Sequence, residues 1–199
     1  MPRIHPLPDH EVAHLRDQFD ASELVLGFVP NSAPTMARVP GLLEGVQQVG
    51  AAVFLNSGVD PALLQMVAQI ASSAAGCRYC QAHTAGGAHR VGVTEEKLAD
   101  LWLWETSDHF DDAERAALRL ALHAGSTPNT VTDAHVDELR THFDDDQIAG
   151  IVGVISLFGF LNRWNDTMAT ELEDEAASFA GRVLAASGWE AGRHAGEEA

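Results

Sequence analysis

Apolar residues recur at helical spacing along almost the whole chain. The stretch 9–26 is amphipathic, with Val12, Leu15 and Phe19 on one face, and 27–40 is rich in turn-forming residues. Further apolar periods predict helices over 41–55, 61–75, 77–91, 94–104, 111–124, 132–142, 145–170 and 174–186. Alternating β-branched runs with tight turns, the pattern of strands, are nearly absent. The pattern therefore predicts an all-α fold.

A length of 199 residues suits a single domain, 1–199, with a substantial core. We divide it into an N-terminal arm and loop (1–40), a half that carries two cysteines (41–110), a second half (111–172), and a C-terminal helix with an acidic tail (173–199). The segments 70–85 and 154–169 both run from an apolar helix through a glycine into a polar stretch that contains an aromatic residue. Few positions are identical, so the two predicted halves carry only a weak signal of duplication.

The charge of the chain narrows the classes of partner. There are 29 Asp and Glu residues against 12 Lys and Arg, which gives a formal net charge of −17. Nucleic acids and anionic membrane surfaces are repelled by such a field, so neither is expected as a partner. The N-terminus has no apolar signal segment, and the longest apolar run, 148–161, is short for a bilayer span. We therefore expect a cytoplasmic protein.

The only two cysteines are Cys77 and Cys80, in a CxxC spacing that is followed by His83. A disulfide across so short a loop removes little unfolded-state entropy, so the pair is expected to be reactive rather than a structural crosslink. On a helix, Cys80 and His83 are neighbours, and an imidazole beside a thiol favours the nucleophilic thiolate. Cys77 lies at the helix start, where free N–H groups also favour an anion.

Other roles for the two cysteines remain open at this point. Zinc needs four ligands, and Cys77, Cys80 and His83 supply three, so His89 or a neighbouring subunit would have to complete the set. An inactive remnant of a redox site is a second alternative. A thioredoxin fold is disfavoured because its strands are missing from the pattern.

The segment 76–98, GCRYCQAHTAGGAHRVGVTEEKL, resembles the signature of the carboxymuconolactone decarboxylase-like superfamily, in its alkylhydroperoxidase D (AhpD-like, peroxidase-related) branch. The stretches DAERAAL at 112–118 and FLNRWND at 160–166 agree with it, and the resemblance covers about 25–172. It implies an all-helical fold with two pseudo-repeated halves that assembles into dimers, trimers or hexamers. It also implies a peroxidase that needs no metal and no cofactor.

The resemblance implies that Cys80 attacks the peroxide, Cys77 resolves the product, and His83 accepts the proton. Two positions depart from the family pattern. The relay histidine that is expected four residues after the second cysteine is Thr84, and the relay glutamate expected twelve residues before the first is Gln65. An amide orients an imidazole but does not take its proton, so Glu44 is an alternative carboxylate.

These patterns together predict a CxxC thiol peroxidase that reduces hydrogen peroxide or organic hydroperoxides. The attacking sulfur becomes a sulfenic acid, the second cysteine closes an intramolecular disulfide, and a dihydrolipoamide-like or thioredoxin-like dithiol restores the pair. Two alternatives come from other classes. One is a non-redox lyase that resembles carboxymuconolactone decarboxylase, and the other is a redox-inactive helical assembly protein.

Overall fold

The computed structural model describes residues 2–196 and consists of helices joined by short loops, with no strand in that range. The α-helices are α1 Asp9–Val12, α2 Arg16–Leu26, α3 Ala33–Met36, α4 Leu42–Asn56, α5 Pro61–Ala75, α6 Arg78–Arg90, α7 Glu95–Ala99, α8 Asp112–Gly125, α9 Asp133–Leu139, α10 Asp145–Met168 and α11 Asp174–Val183. Short 3₁₀ turns follow α1, α7 and α11, and a last one lies at Gly192–His194. The predicted all-α class is confirmed.

Local sequence signals fix where the main helices begin. The Asp60 carboxylate accepts the Ala62 N–H at 2.8 Å, with proline at the first helical position of α5. Reciprocal capping boxes begin α8 and α10, at Asp111 and Asp144 respectively. The Thr94 hydroxyl accepts the backbone N–H three residues on and begins α7, as its sequence pattern predicts.

Three predicted elements differ from the observed ones. The stretch 9–26 is interrupted by a 3₁₀ turn at 13–15, the predicted loop 27–40 contains the short helix α3, and α7 ends at Ala99 instead of running to 104. The second of the two similar segments, 154–169, lies almost entirely in the continuous helix α10, whereas Gly76 divides the first into α5 and α6. Residues 197–199, the end of the predicted acidic tail, lie outside the described range.

Helix α5 is the centre of the core and packs against α6, α8 and α10. Its side chains Leu64, Met66, Val67 and Ile70 are fully or almost fully buried. Burial of aliphatic side chains on this scale is the main stabilising term of the fold. This packing fixes α6, and therefore the two cysteines, against the middle of the molecule.

Within residues 2–196, α10 is the one helix long and apolar enough to cross a bilayer by length and composition. It packs against α4, α5, α6 and α8, and eight of its residues are buried in the protein. These contacts are those of a core helix.

The C-terminal segment 169–196 folds back over the start of α6. Helix α11 packs along α6, and the Trp189 indole N–H donates to the Arg78 carbonyl at 3.3 Å. The Leu172 N–H donates to the His194 carbonyl at 2.9 Å, which ties the two ends of the segment together. Residues near the end of the chain are thereby brought to the thiols.

Candidate functional site

The two thiols lie at the first turn of α6. Gly76 ends α5 with φ 78°, a left-handed conformation that glycine adopts without strain, and the chain turns directly into Cys77. Cys77 is the N-cap residue of α6, and its Sγ accepts the Cys80 N–H at 3.5 Å. The two sulfurs are not bonded, and the residues are 0% and 2% exposed, respectively. The site is therefore a buried, reduced dithiol with a helix start directed at the first sulfur.

Cys77 is the more acidic of the two thiols. A hydrogen bond from the Cys80 thiol lowers its pKa most, and this outweighs the effect of burial, which raises it. His194 and the Cys80 N–H lower the pKa further, while the Asp166 carboxylate raises it, and the net pKa of Cys77 is about 6. At neutral pH Cys77 is therefore mostly thiolate, the form that acts as a nucleophile.

Cys80 has the opposite character. Burial raises the pKa of its thiol well above the ordinary value, and the neighbouring Cys77 sulfur raises it further. The Asn165 amide donates to the Cys80 Sγ at 3.5 Å, but this contact does not offset the burial. The sequence-based expectation that Cys80 is the activated thiol therefore does not fit the electrostatics of the site, which favour Cys77.

His194 lies against Cys77 and is 1% exposed. Its Nδ1 lies 2.7 Å from the Thr170 carbonyl oxygen, and its Nε2 lies 3.0 Å from Asp166 Oδ1. Burial lowers the pKa of His194, but hydrogen bonds to Cys77, Thr170 and Asp166 raise it more, and the net pKa is above the ordinary value. Both ring nitrogens face acceptors, so the doubly protonated imidazolium satisfies the site.

The sequence analysis missed His194 and Asp166. Asp166 belongs to the FLNRWND stretch, but no local spacing links it to the cysteines, and His194 stands alone in the C-terminal segment. Only the chain reversal after α10 brings the two together. The sequence holds no signal for the role of His194, because its burial is not visible there.

No described hydrogen bond joins His83 to either cysteine. Its Nε2 lies 2.6 Å from Oε2 of Glu173, and the Tyr79 hydroxyl donates to the other oxygen of that carboxylate at 2.9 Å. Burial raises the pKa of Glu173, but the hydrogen bond with His83 and other contacts lower it, so its net pKa is below the ordinary value. The carboxylate that contacts His83 is therefore Glu173 and not Glu44, and the role of His83 as proton acceptor for Cys80 stays a prediction.

Gln65 lies beside Gly87 of α6. A Cβ placed on Gly87, seven residues beyond Cys80, would lie 2.8 Å from the Gln65 Oε1. The amide that meets Thr84 is Gln69, whose Oε1 accepts the Thr84 hydroxyl. No described hydrogen bond joins Gln65 to His83, so the relay through Gln65 stays a prediction, and Thr84 is held by a neighbouring glutamine within the core.

The metal set considered from the sequence is not brought together either. His83 is paired with Glu173, and the Nδ1 of His89 faces the Val93 carbonyl at 3.3 Å. In residues 2–196, one group of three potential ligands has its donor atoms within 4.8 Å of one another, namely Cys77, Asp166 and His194. In that group His194 Nε2 and Asp166 Oδ1 lie within hydrogen-bond distance of each other, at 3.0 Å.

A cavity of about 200 Å³ lies on another flank of α6. Phe28 and Phe179 form its walls, with His83 and Arg90 between them. Neither cysteine lines this cavity. A ligand in this cavity would contact His83.

Comparison with known proteins gives relatives at several levels. Residues 40–123 match the model of the carboxymuconolactone decarboxylase family. The crystal structure of the apo debrominase Bmp8 is 31% identical with a TM-score of 0.84, over 89% of this chain and 96% of that one. A cysteine-to-alanine variant of Bmp8 in complex with 2,3,4-tribromopyrrole is 30% identical with a TM-score of 0.86, over 92% and 98% of the two chains.

Two further relatives are more distant or match less of the chain. The uncharacterized protein YnjA of Escherichia coli (strain K12) is 33% identical over 114 residues, which are 57% of this chain and 62% of YnjA. The alkylhydroperoxidase AhpD core of a peroxidase-related protein from Ralstonia eutropha JMP134 has a TM-score of 0.73 at 24% identity, over 89% and 91% of the chains. The match over 40–123 and the near-complete coverage of Bmp8 at 31% identity show that this chain belongs to the carboxymuconolactone decarboxylase family.

Proposed function

We propose that this protein is a dithiol oxidoreductase that reduces hydroperoxides by two electrons, with Cys77 as the attacking sulfur and Cys80 as the resolving one. The inequality of the two sulfurs carries the proposal. One is a buried thiolate that accepts hydrogen bonds, and the other is a neutral thiol in the same helical turn. A nucleophile beside a protonated partner is the arrangement that attack followed by disulfide closure requires.

The chemistry balances with these two groups and one proton. The Cys77 thiolate attacks the terminal oxygen of ROOH, the O–O bond breaks, and the leaving oxygen takes a proton to give ROH and a sulfenic acid at Cys77. The Cys80 thiol then displaces the hydroxyl group, whose oxygen leaves as water with the Cys80 proton, and a disulfide forms. An external dithiol, dihydrolipoamide-like or thioredoxin-like, reduces the disulfide and is itself oxidised.

The burial of the thiols supports a small substrate. Both cysteines are almost inaccessible, so a molecule the size of hydrogen peroxide or a short alkyl hydroperoxide needs less opening of the C-terminal segment than a bulky one.

Assembly into a homo-oligomer is part of the proposal. Val49 on α4 and Val152 and Phe160 on α10 are exposed apolar side chains on two helices that pack together. A second copy of the chain would cover them. Light scattering of the wild type and of Phe160→Ser tests this, because a smaller particle is expected for the variant if the surface is an interface.

The test of the peroxidase proposal counts thiols under anaerobic conditions. One equivalent of peroxide should reduce the free thiols from two to zero, with the mass of an intramolecular disulfide. Cys80→Ser should leave a trappable sulfenic acid at Cys77, whereas Cys77→Ser should stop rapid consumption of peroxide. Thiols that survive excess peroxide would contradict the proposal and would favour the lyase or assembly alternatives. A sulfenic acid at Cys80 in Cys77→Ser, formed at the wild-type rate, would restore the sequence-based roles.

Reductive debromination is the second candidate, and the similarity to Bmp8 over nearly its whole length favours it. The same two sulfurs balance this reaction. The Cys77 thiolate attacks bromine, the carbon takes a proton as the C–Br bond breaks, and Cys80 closes the disulfide and releases bromide. Bromide release from 2,3,4-tribromopyrrole, measured beside peroxide consumption by the same preparation, ranks the two activities. Faster turnover of the bromopyrrole would make debromination the principal activity.

A further inference from the structure

His194 is a buried titratable group that the reaction of two sulfurs does not itself require. We propose that His194 is the cation that holds the Cys77 thiolate and the acid that gives its proton to the leaving oxygen, with Asp166 and the Thr170 carbonyl as the positioning groups. The acid role rests on the proposed function, whereas the role beside the thiolate does not.

The geometry around the imidazole carries this inference. The Nδ1–H has an acceptor in the Thr170 carbonyl at 2.7 Å, which fixes the ring, and Nε2 faces Asp166 Oδ1 at 3.0 Å. The donor atoms of Cys77, Asp166 and His194 all lie within 4.8 Å of one another. A buried thiolate beside a carboxylate would leave two negative charges in a site of low polarity, and a cation in contact with both removes that cost.

The backbone holds His194 in this place. The His194 carbonyl accepts the Leu172 N–H at 2.9 Å, and its own N–H donates to the Ala191 carbonyl at 3.1 Å. Trp189, five residues earlier, is buried and donates its indole N–H to the Arg78 carbonyl beside the thiols. The main chain around His194 is therefore held in place, and the imidazole keeps a fixed position beside Cys77.

The groups that titrate around Cys77 come from three elements. Cys80 and Tyr79 belong to α6, Asp166 to α10 and His194 to the C-terminal segment. The Tyr79 ring lies 5.8 Å from the His194 ring, and burial raises the pKa of its hydroxyl well above the ordinary value, so it stays neutral. From α5 the contact is the Ser72 carbonyl, which accepts the Cys77 N–H at 3.1 Å. Near neutral pH, His194 is the one cation expected in this set.

The proton transfer keeps the reaction balanced. The Cys77 sulfur bonds to the terminal peroxide oxygen, the O–O bond breaks, and the departing RO⁻ takes the proton of the His194 imidazolium. His194 is then neutral, and it regains a proton from solvent before the next cycle. Disulfide closure uses the Cys80 proton as before, so no further reductant or oxidant enters this step.

Alkylation by iodoacetamide tests the first role, because iodide leaves without a proton and the rate reports the thiolate alone. His194→Gln should alkylate at Cys77 about five-fold or more slowly than the wild type at pH 6, as expected if its pKa rises by about one unit. The two rates should converge near pH 10, where Cys77 is ionised in both proteins. His123→Gln removes a histidine on α8 that contacts Thr130, away from the thiols, and should leave the profile unchanged.

Peroxide tests the second role with the same proteins. If His194 also supplies the proton, His194→Gln should lose on the order of 10²-fold in peroxide rate beyond its loss in alkylation rate at the same pH. His194→Ala opens space for free imidazole, which should restore part of both rates. An unfolded variant would differ from the wild type in its alkylation rate near pH 10. In that case, the recovery of rate that free imidazole gives to His194→Ala still tests the role of the side chain.

The outcomes separate the two proposals. An unchanged alkylation profile in His194→Gln overturns His194 as the partner of the thiolate, whatever the protein does with peroxide. A shifted profile with no rapid peroxide consumption by the wild type retains the partner and overturns the peroxidase. Equal losses in alkylation and peroxide rates retain the thiolate role and overturn the acid role.

Discussion

Removal of the Cys80 thiol is the sharpest test of the electrostatics of the pair. A hydrogen bond from the Cys80 thiol is the largest single cause of the low pKa of Cys77. Cys80→Ala removes the donor, while Cys80→Ser keeps a hydroxyl that can replace it. Both variants contain one cysteine, so a single thiol titrates in each.

The size of the effect follows from the two pKa values. The pKa of Cys77 is about 6. An ordinary thiol has a pKa of about 8.5, and the difference of about 2.5 units corresponds to roughly 3 kcal/mol of preference for the thiolate. A hydrogen bond to a charged group contributes about 1.5–3 kcal/mol, or about one to two units. Cys80→Ala should therefore raise the pKa of Cys77 to about 7–8, and the thiolate fraction at pH 7 should fall from about nine-tenths to between about a half and a tenth.

The assay is the ultraviolet absorbance of the thiolate as a function of pH, checked by the alkylation rate at each pH. We expect Cys80→Ser to lie between the wild type and Cys80→Ala, because a hydroxyl donates to the thiolate in the same position. A pKa of Cys77 that stays near 6 in Cys80→Ala would refute the reasoning, since the hydrogen bond would then not be the cause. The low pKa of Cys77 would then have to come from His194 and the Cys80 N–H alone.

Three further predictions concern the frame of the site. Gly125→Ala should lower the free energy of unfolding by about 1–3 kcal/mol, because a Cβ there would lie 2.9 Å from the Cα and carbonyl oxygen of Ala71. Gly45→Ala is the matched control, because a Cβ at that helical position has no neighbour within 4 Å. The free energy of unfolding of this variant should rise by about 0.5–1 kcal/mol. Equal effects of the two substitutions in denaturant titrations would contradict the packing argument. Glu173→Gln should cost about 1–3 kcal/mol at pH 7. Since the folded pKa of Glu173 is below its ordinary value, its contribution is complete above the unfolded pKa and is lost as pH falls through the folded one, so the two urea curves should converge in acid. Gln65→Glu should leave the thiol titration unchanged, and a shift toward lower pH would return Gln65 to the site.

The sequence predicts the helices well where caps and apolar periods agree. The predicted starts at 61, 111 and 145 lie within one residue of the observed ones, which Asp60, Asp111 and Asp144 cap, since caps and periodicity are local properties. The short 3₁₀ turn at 13–15 and the early end of α7 have no comparable signal. They depend on how these segments pack against the rest of the chain.

The partners of the thiols are predicted much less well, and the reason is geometric. Cys80 and His83 are adjacent on α6, but Cys80 meets Asn165 of α10 while His83 meets Glu173 at the start of α11. A rotation of about 60° around a helix is enough to place two neighbours against different elements. His194 and Asp166 come from segments that only the tertiary fold brings together, so no spacing in the sequence encodes their contact.

The stabilised Cys77 thiolate at the start of α6 also affects the reduction potential of the cysteine pair. The pKa of Cys77 is about 6. Relative to an ordinary thiol, this stabilises the dithiol at pH 7 by about 1 kcal/mol, which raises the reduction potential of the two-electron couple by roughly 20–30 mV. The closed pair is consequently a better oxidant than an unperturbed disulfide would be. A cellular dithiol with an unperturbed reduction potential then reduces the Cys77–Cys80 disulfide with a favourable free energy. In a reducing compartment the resting state of the protein is therefore the dithiol.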